Sequence, residues 1–440
     1  MLTVEQALEH ILSRVAPLGV ERVLLLDAAA RILAEPVVAT RTLPPHDNSA
    51  MDGYAVVAAD IAAASRERPV ILPIGLRVGA GHLPSRPLRP GEAARVMTGA
   101  AVPDGADAVV KREDTDEGDA GAPAASGGRV GFFVPANPGA HIRRRGDDIA
   151  EGAEVLRVGD AIGPAEIGLC AGLGRSVLTV RRRPTVAILS TGDELCDVDQ
   201  VPAPGQIVNS NVWALAAQVA EAGALPVVLG HARDDAHAIR ARIREGLAAD
   251  VLLTSGGVSV GDFDLVRGAL EAEGVGLEFW KVAMKPGKPV TFGRGPGGRL
   301  VFGLPGNPAS SMVAFELFVR PALRGLMGDA RPRQRVTVML EDGFERRGGR
   351  VQFLRAVVRV VRKPGQGDRW IAQLLRSQDS HKLSSMARSN ALVELPADAG
   401  RVVPGEAVTA ILTGVPVQAC LLYTSPSPRD RTRSRMPSSA

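Results

Sequence analysis

Thr254-Ser-Gly-Gly-Val-Ser-Val-Gly-Asp-Phe-Asp264 leaves few folds open to this chain. A short apolar run, Asp250-Val-Leu-Leu253, leads into it and reads as a buried parallel strand. Leu265-Val-Arg-Gly-Ala-Leu-Glu-Ala-Glu273 leads out and reads as a helix. A strand, a glycine-rich turn and a helix form the place where an open α/β sheet receives an anion. Gly256 and Gly257 permit close backbone approach and positive φ. Ser255 and Ser259 offer hydroxyls beside a nest of amides. Asp262 and Asp264 bring carboxylates to the same turn, which suits a site that also holds a hard divalent cation. Taken alone, the loop is equally a tight turn with an Asp N-cap.

The rest of 184–328 repeats this arrangement. Thr185-Val-Ala-Ile-Leu ends at Ser190-Thr-Gly-Asp-Glu194, Leu225-Pro-Val-Val-Leu-Gly ends at Arg233-Asp-Asp235, and Leu277-Glu-Phe-Trp-Lys-Val runs into Met284-Lys-Pro-Gly-Lys-Pro289. Leu300-Val-Phe-Gly ends at Leu304-Pro-Gly-Asn-Pro308. Helical stretches at 212–222, 237–248 and 310–326 intervene, so the alternation predicts a parallel sheet covered on both faces. Each polar motif then follows a strand's C-terminal end, which gathers them on one rim. That rim holds Ser190, Thr191, Asp193, Glu194, Asp235, Ser255, Ser259, Asp262, Asp264, Lys281, Lys285 and Lys288. Hydroxyls, carboxylates and lysines together suit a substrate with several phosphates and a metal ion.

Before this region, 4–15 has helical spacing with Thr3 as a plausible N-cap. Leu43-Pro-Pro-His-Asp-Asn-Ser-Ala-Met-Asp-Gly-Tyr-Ala55 is a rigid polar loop. It is either a solvated Asx-turn segment or a mount for the Asp52 carboxylate. Short strands from 56 to 111 predict a small β domain carrying a second Thr/Gly loop, Met97–Asp107. Glu113–Gly128 reads as a flexible hairpin tip. The arginines at 143–145 form either a solvated charge run or an attractor for a polyanion. Residues 331–413 alternate at the strand period and predict a small antiparallel barrel or sandwich, with Arg355 and Ser380-His-Lys382 able to face a ligand. Gln418–Ala440 has no hydrophobic period and is expected to be disordered, as either a native tail or sequence foreign to the protein.

Composition narrows the function classes. The chain has 440 residues, room for roughly two to four domains. No apolar run approaches the roughly 20 residues of a membrane span, and no signal peptide is expected at the N-terminus. Three cysteines without metal-ligand spacing fit a reducing cytoplasm. The net charge of +4 is misleading: four Arg and one Asp lie in 418–440, and the rest of the chain is close to neutral. Nothing in composition supports a nucleic-acid partner.

With these motifs in hand, the chain resembles the molybdopterin molybdenumtransferase family, relatives of the gephyrin C-terminal region. The resemblance rests on Asp47-Asn-Ser-Ala-Met-Asp-Gly-Tyr-Ala-Val56, Met97-Thr-Gly-Ala100, Arg145-Gly-Asp-Asp-Ile149 and Ser190-Thr-Gly-Asp-Glu-Leu195. It rests equally on Ser255-Gly-Gly-Val-Ser-Val-Gly261, Lys285-Pro-Gly-Lys-Pro289 and Gly303-Leu-Pro-Gly-Asn-Pro308. It implies a multidomain α/β plus β protein. Residues 1–44 and 136–177 would form an elongated discontinuous domain, and 45–135 an inserted β domain. A central parallel-sheet α/β domain of the molybdopterin-binding type would span 178–328, a β-barrel-like domain 329–415, and a disordered tail 416–440.

The activity implied is insertion of molybdate into adenylated molybdopterin with release of AMP, assisted by a divalent cation, Mg²⁺. The implied working form is a homodimer in the cytoplasm, with the partner protomer contributing to the cleft. No nucleic acid or membrane is involved, and contact with an upstream adenylyltransferase or recipient molybdoenzymes is left open. Carried over by position, Glu194, Asp235 and Asp264 would be the metal-side carboxylates, and Lys281, Lys285 and Lys288 would neutralise anions. Asp52 and Thr98 would reach the cleft from the other subunit. Substrate would be bound by Ser190, Thr191, Gly192, Asp193, Ser255, Gly256, Gly257 and Ser259. Pro305 and Pro308 would shape the floor, and Arg355 would approach molybdate or pterin. Whether Asp262 or Asp264 is the ligand stays open. The competing readings are an adenylyltransferase acting one step earlier and a non-catalytic peptide-binding scaffold.

Overall fold

The computed structural model describes residues 1–118, 128–257, 265–329, 331–345, 349–363 and 367–419. The chain divides into two units, Arg22–Val180 and Met1–Glu21 with Arg181–Ala440. Among the described residues, no helix is long and apolar enough to cross a membrane.

In the Arg22–Val180 unit, a five-stranded sheet runs in the order Ala108–Lys111, Gly53–Val56, Ala93–Val96, Val70–Val78, Arg129–Phe132. Its alternation separates two cores. Tyr54, Val56, Ala108 and Val110 join one, and Ala55 and Val109 join the other. A third core packs Leu33 and Val37 against Ile149, Ile162, Leu173 and Val180, so chain from both sides of the inserted sheet closes on itself. The acidic stretch expected as a hairpin tip begins differently. Thr115 and Asp116 are buried, and the Asp116 carboxylate accepts from the Gly131 amide at 2.9 Å. Residues 119–127 of that stretch lie outside the described residues.

The second unit opens with α1 (Val4–Leu12). Thr3 and Gln6 form a reciprocal capping box, Thr3 Oγ1 accepting from the Gln6 amide at 3.2 Å and Gln6 Oε1 from the Thr3 amide at 3.0 Å. The buried face of α1 (Val4, Ala7, Ile11) joins the core that contains Phe315 and Phe318. Residues 1–21 therefore pack with the α/β body, whereas the sequence reading assigned them to the elongated domain. An amphipathic helix shows which face it buries, not against what.

Six strands form the central sheet: β1 (Thr185–Thr191), β2 (Leu225–Ala232), β3 (Val251–Ser255), β4 (Gly276–Phe279), β5 (Thr291–Arg294) and β6 (Leu300–Leu304), in the order β2-β1-β3-β6-β5-β4. β2, β1, β3 and β6 are parallel, and β5 runs against both neighbours. The expected parallel sheet is therefore present, with β5 as its one antiparallel strand among the described residues. Pro296-Gly-Gly298 closes a β5–β6 hairpin, with Gly297 and Gly298 at φ 72° and 77°. Because β5 is antiparallel to both β6 and β4, β4 is parallel to β6 and points its C-terminal end to the common rim. Along β1, Val186 and Ile188 face the core shared with α2 (Ser210–Glu221), while Ala187 and Leu189 face α3 (Ala236–Gly246) and α4 (Leu265–Ala272). Pro308–Ala314, the π-helical Phe315–Val319 and Arg320–Leu326 run on as α5, which shares the first of these cores.

At the opposite end of the sheet, Asp250 accepts from Arg182 at 2.7 and 2.8 Å and from the Thr185 amide and hydroxyl at 2.8 and 2.9 Å. Burial pushes its carboxyl up, but these donors outweigh burial and hold it below the ordinary value. A depressed carboxyl stabilises the fold above its unfolded pKa, and this is lost as pH falls through the folded value. Asp250→Asn is expected to cost about 2 kcal/mol in urea unfolding at pH 7. The deficit against wild type should shrink as the pH is lowered below 4, roughly the unfolded carboxylate pKa. A constant deficit would argue against the ion pair.

Five strands after α5 close a barrel: β7 (Arg335–Leu340), β8 (Val351–Lys363), β9 (Gly367–Leu374), β10 (Ala391–Leu395) and β11 (Ala407–Leu412), ordered β8-β9-β7-β11-β10 and back to β8. Val338, Leu354, Ala356, Val358, Ala372, Val393 and Ala410 fill it. The pairing is antiparallel except between β7 and β9. Val417–Ala419, placed in the tail by the sequence reading, pairs with Arg359–Val361 as an added parallel strand. Residues 420–440 lie outside the described residues.

Candidate active site

β1 leads through α2 to β2 on one side, and β3 leads through α4 away on the other. The crevice beyond the ends of β1 and β3 is therefore the switch point of the sheet, where open α/β folds bind ligands. A cavity of about 850 Å³ opens there. Ser190, Thr191 and Gly192 line it from β1, Ser255, Gly256 and Gly257 from β3, and Pro305 and Pro308 from the turn after β6.

The glycines are a steric requirement. Gly256 has φ 90° and Gly257 φ 64°. A Cβ on Gly256 would lie 2.7 Å from the Thr191 carbonyl oxygen, and one on Gly257 would lie 2.2 Å from Val266 Cγ2. The two strand-end loops thus touch backbone to backbone. Asn211, in the first turn of α2, ties them further: its Nδ2 donates to Ser255 Oγ at 2.9 Å and to the Gly306 carbonyl at 2.7 Å. Ser190 Oγ donates to Asn209 Oδ1 at 3.1 Å, and Thr191 Oγ1 is buried without a partner among the described residues. An unpaired buried hydroxyl at a cavity wall calls for an explanation, and a ligand oxygen would supply its missing partner.

Carboxylates enter from the β1 and β2 loops. Glu194 lines the cavity and folds back over Gly192, where a Cβ would meet its Oε2 at 2.2 Å. Asp235 caps α3, accepting from the Ala238 amide at 2.7 Å, and it is Asp234 that lines the cavity. Asp193 accepts from the Asp234 amide at 3.1 Å and so ties the β1 loop to the β2 loop. Ser259, Asp262 and Asp264 lie outside the described residues.

A second cavity of about 450 Å³ adjoins the first, sharing Pro289, Asn307 and His381. Lys285 and Lys288 line it together with Arg350, facing Gln378, Asp379 and Ser380 of the barrel. The lysine loop is fixed on both sides. Met284–Lys285 pairs with Val351–Gln352 of β8, and the Val282 amide donates to the Lys288 carbonyl at 3.1 Å. Lys281, half-buried, lines neither cavity, and none of the three lysines has an ion-pair partner among the described residues.

Arg355 lines neither cavity. It is fully buried on β8, its Nε donating to Ser385 Oγ at 3.2 Å and its Nη2 to the Asp379 carbonyl at 3.0 Å. Its Nη1 has no partner among the described residues. The guanidinium thus supports the 379–385 segment from beneath, where the sequence reading had it approach the ligand directly.

Asp52 and Thr98 belong to the Arg22–Val180 unit and meet there. Asp52 Oδ1 accepts from the Thr98 amide at 2.6 Å and its hydroxyl at 2.8 Å. Those two bonds hold the Asp52 carboxyl below its ordinary value. In the same loop Asp47 accepts from the Arg145 amide at 2.8 Å and Arg144 Nη1 at 2.6 Å, so part of the arginine run braces the chain.

Three family models match in chain order: the MoeA N-terminal region (domain I and II) over residues 2–174, a probable molybdopterin binding domain over 187–325 and the MoeA C-terminal region (domain IV) over 337–413. "Molybdopterin molybdenumtransferase 2" of Mycobacterium tuberculosis is 40% identical over 390 residues, covering 87% of this chain and 92% of that protein. The chain belongs to the molybdopterin molybdenumtransferase family. These are transferases of molybdenum cofactor biosynthesis, and the membership fits the mixed α/β body, the inserted β sheet and the terminal barrel. The Bacillus subtilis molybdopterin molybdenumtransferase is 36% identical over 394 residues, with 89% of each chain covered. The solved molybdopterin biosynthesis MoeA protein of Pyrococcus horikoshii superposes with a TM-score of 0.77 at 31% identity, covering 94% of this chain and all of that one.

For this molybdenumtransferase, sequence reasoning overlooked Asn211 and Asp234. The Asn209-Ser-Asn211 triplet before an apolar helical run carries the signal for the first, since the capping residue and its neighbour share the rim-facing turn. The adjacent Asp234-Asp235 pair carries none for the second, because either residue can cap α3.

Proposed function

We propose that this transferase inserts molybdate into adenylated molybdopterin and releases AMP, working in the two adjoining cavities. The observation that carries this reading is their shared wall. The switch-point cavity offers hydroxyls, glycine amides and carboxylates, and the next one offers two lysines that have no ion-pair partner among the described residues. A substrate with a pyrophosphate between two heterocycles needs the first set, and a tetrahedral dianion suits the second. Lys285 and Lys288 would receive molybdate, and Ser190, Thr191 and Ser255 would orient the phosphates. Arg355 holds the opposing 379–385 segment in position.

Mg²⁺ belongs to this reading. Among the described residues no three His, Cys, Asp or Glu side chains gather as a ready metal cage. Glu194 and Asp234, however, are hard oxygen donors on the cavity wall, of the type Mg²⁺ prefers when substrate phosphates complete its shell. When bound, the cation would neutralise the charge that develops as the phosphoanhydride opens. The reading takes a homodimer in the cytoplasm as the working form, which the family resemblance supports.

Chelation followed by Mg²⁺ titration tests the cation. AMP release should fall at least tenfold in EDTA and recover with Mg²⁺. Glu194→Gln should raise the Mg²⁺ concentration needed for half-maximal rate. A rate indifferent to chelation would remove the metal from the reading.

A further inference from the structure

Asn209 and Asn211 flank the start of α2, line the same cavity, and have opposite ends of their amides committed. Asn209 Oδ1 accepts from the Val212 amide at 3.4 Å and from Ser190 Oγ at 3.1 Å. A backbone N–H can only donate, so the oxygen must lie on that side. What remains is Asn209 Nδ2, buried with 3% of the residue exposed and without a partner among the described residues. Asn211 is the reverse. Its Nδ2 donates to the Gly306 carbonyl and to Ser255 Oγ, and a carbonyl can only accept, so its Oδ1 is the atom left uncommitted among the described residues.

We infer that Asn209 and Asn211 form a reading pair, one N–H donor and one C=O acceptor, for the donor–acceptor edge of a fused nitrogen heterocycle. A phosphate or an oxyanion offers only acceptors and would satisfy Asn209 while facing Asn211 with repulsion. An edge with a ring N–H or amino group beside a carbonyl or ring nitrogen satisfies both. A buried donor without a partner costs stability unless a ligand supplies the acceptor, which is how such a site rejects ligands lacking that edge. The inference rests on the proposed substrate, which carries such an edge on its pterin and on its adenine.

The test uses neutral probes, so that phosphate binding contributes nothing. 6-Hydroxymethylpterin and adenosine are titrated by ligand-observed NMR to millimolar concentration against the full-length protein and Asn209→Asp. The variant keeps the acceptor for Val212 and Ser190 and remains a good helix cap, but presents oxygen where Nδ2 stood. The expected result is binding of at least one probe to wild type, weakened about tenfold or more in Asn209→Asp at unchanged melting temperature. Whichever probe responds identifies the ring that is read. The edge-blocked analogues, N3-methylpterin and N6,N6-dimethyladenosine, should bind wild type as weakly as the parent binds the variant. Asn211→Ala is expected to weaken the same probe. No binding of either probe to wild type, equal affinity for wild type and Asn209→Asp, or full affinity of the blocked analogues would overturn the inference. None of these measurements needs molybdate or turnover. Absence of molybdenum insertion in a protein that shows the expected binding pattern would count against the proposed function and leave the reading pair intact.

Discussion

Gly256→Ala should abolish most of the activity and destabilise the protein together. The backbone there sits at φ 90°, a conformation that costs an L-residue about 1–2 kcal/mol. The added methyl would also lie 2.7 Å from the Thr191 carbonyl oxygen, a backbone atom anchored in the central strand β1. Neither loop can yield without the other, because Asn211 ties Ser255 to Gly306 and the Gly256 amide donates to the Leu304 carbonyl at 3.2 Å. The loops must part at the switch point, where a shift of about 1 Å costs about a hundredfold in rate. The expected loss is about 2–3 kcal/mol in urea unfolding and about a hundredfold in kcat/KM. Gly268→Ala is the control. It lies in α4 with nothing within 4 Å of an added Cβ, and should be neutral or slightly stabilising. Equal behaviour of the two variants would show that the contact at the loops does not matter.

Lys285→Ala combined with Lys288→Ala is the second large effect, and it should leave the fold alone. Both side chains are exposed, and neither has an ion-pair partner among the described residues. Their removal therefore uncovers no buried charge. Each cation facing an anion is worth about 1.5–3 kcal/mol, so the pair accounts for about a hundredfold to a ten-thousandfold in kcat/KM. The loss should appear chiefly as a raised molybdate requirement, with the melting temperature within a degree or two of wild type. Unchanged molybdate dependence in the double variant would move the oxyanion away from the second cavity.

The sequence makes the rim legible because its motifs obey one rule. Ser190–Glu194, Ser255–Gly257 and Pro305–Pro308 each follow a strand, and the sheet brings all three to one cavity. The same rule works for Lys285 and Lys288 although β5 runs backwards, since β5 is antiparallel to both neighbours and β4 therefore shares the direction of β6. What escapes the sequence is decided by tertiary contact. Alternation along β8 marks Leu354, Ala356 and Val358 as barrel core, but does not show that Phe353 and Arg355 on the other face are buried too. Charge at Arg355 therefore reads as exposure. Likewise Asp234 and Asp235 are chemically identical neighbours, and only the phase of α3 turns one into a cap and the other toward the cavity. The buried face of α1 is plain from its spacing, yet its partner lies some three hundred residues along the chain, in α5.

Single-turnover AMP release from adenylated molybdopterin, followed with and without molybdate and Mg²⁺, addresses the proposed reaction most directly. The expected result is stoichiometric AMP release that requires both and is matched by molybdenum in the dithiolene product. Synthesis of the adenylate from molybdopterin and ATP, or a folded protein that releases no AMP under any of these conditions, would contradict it.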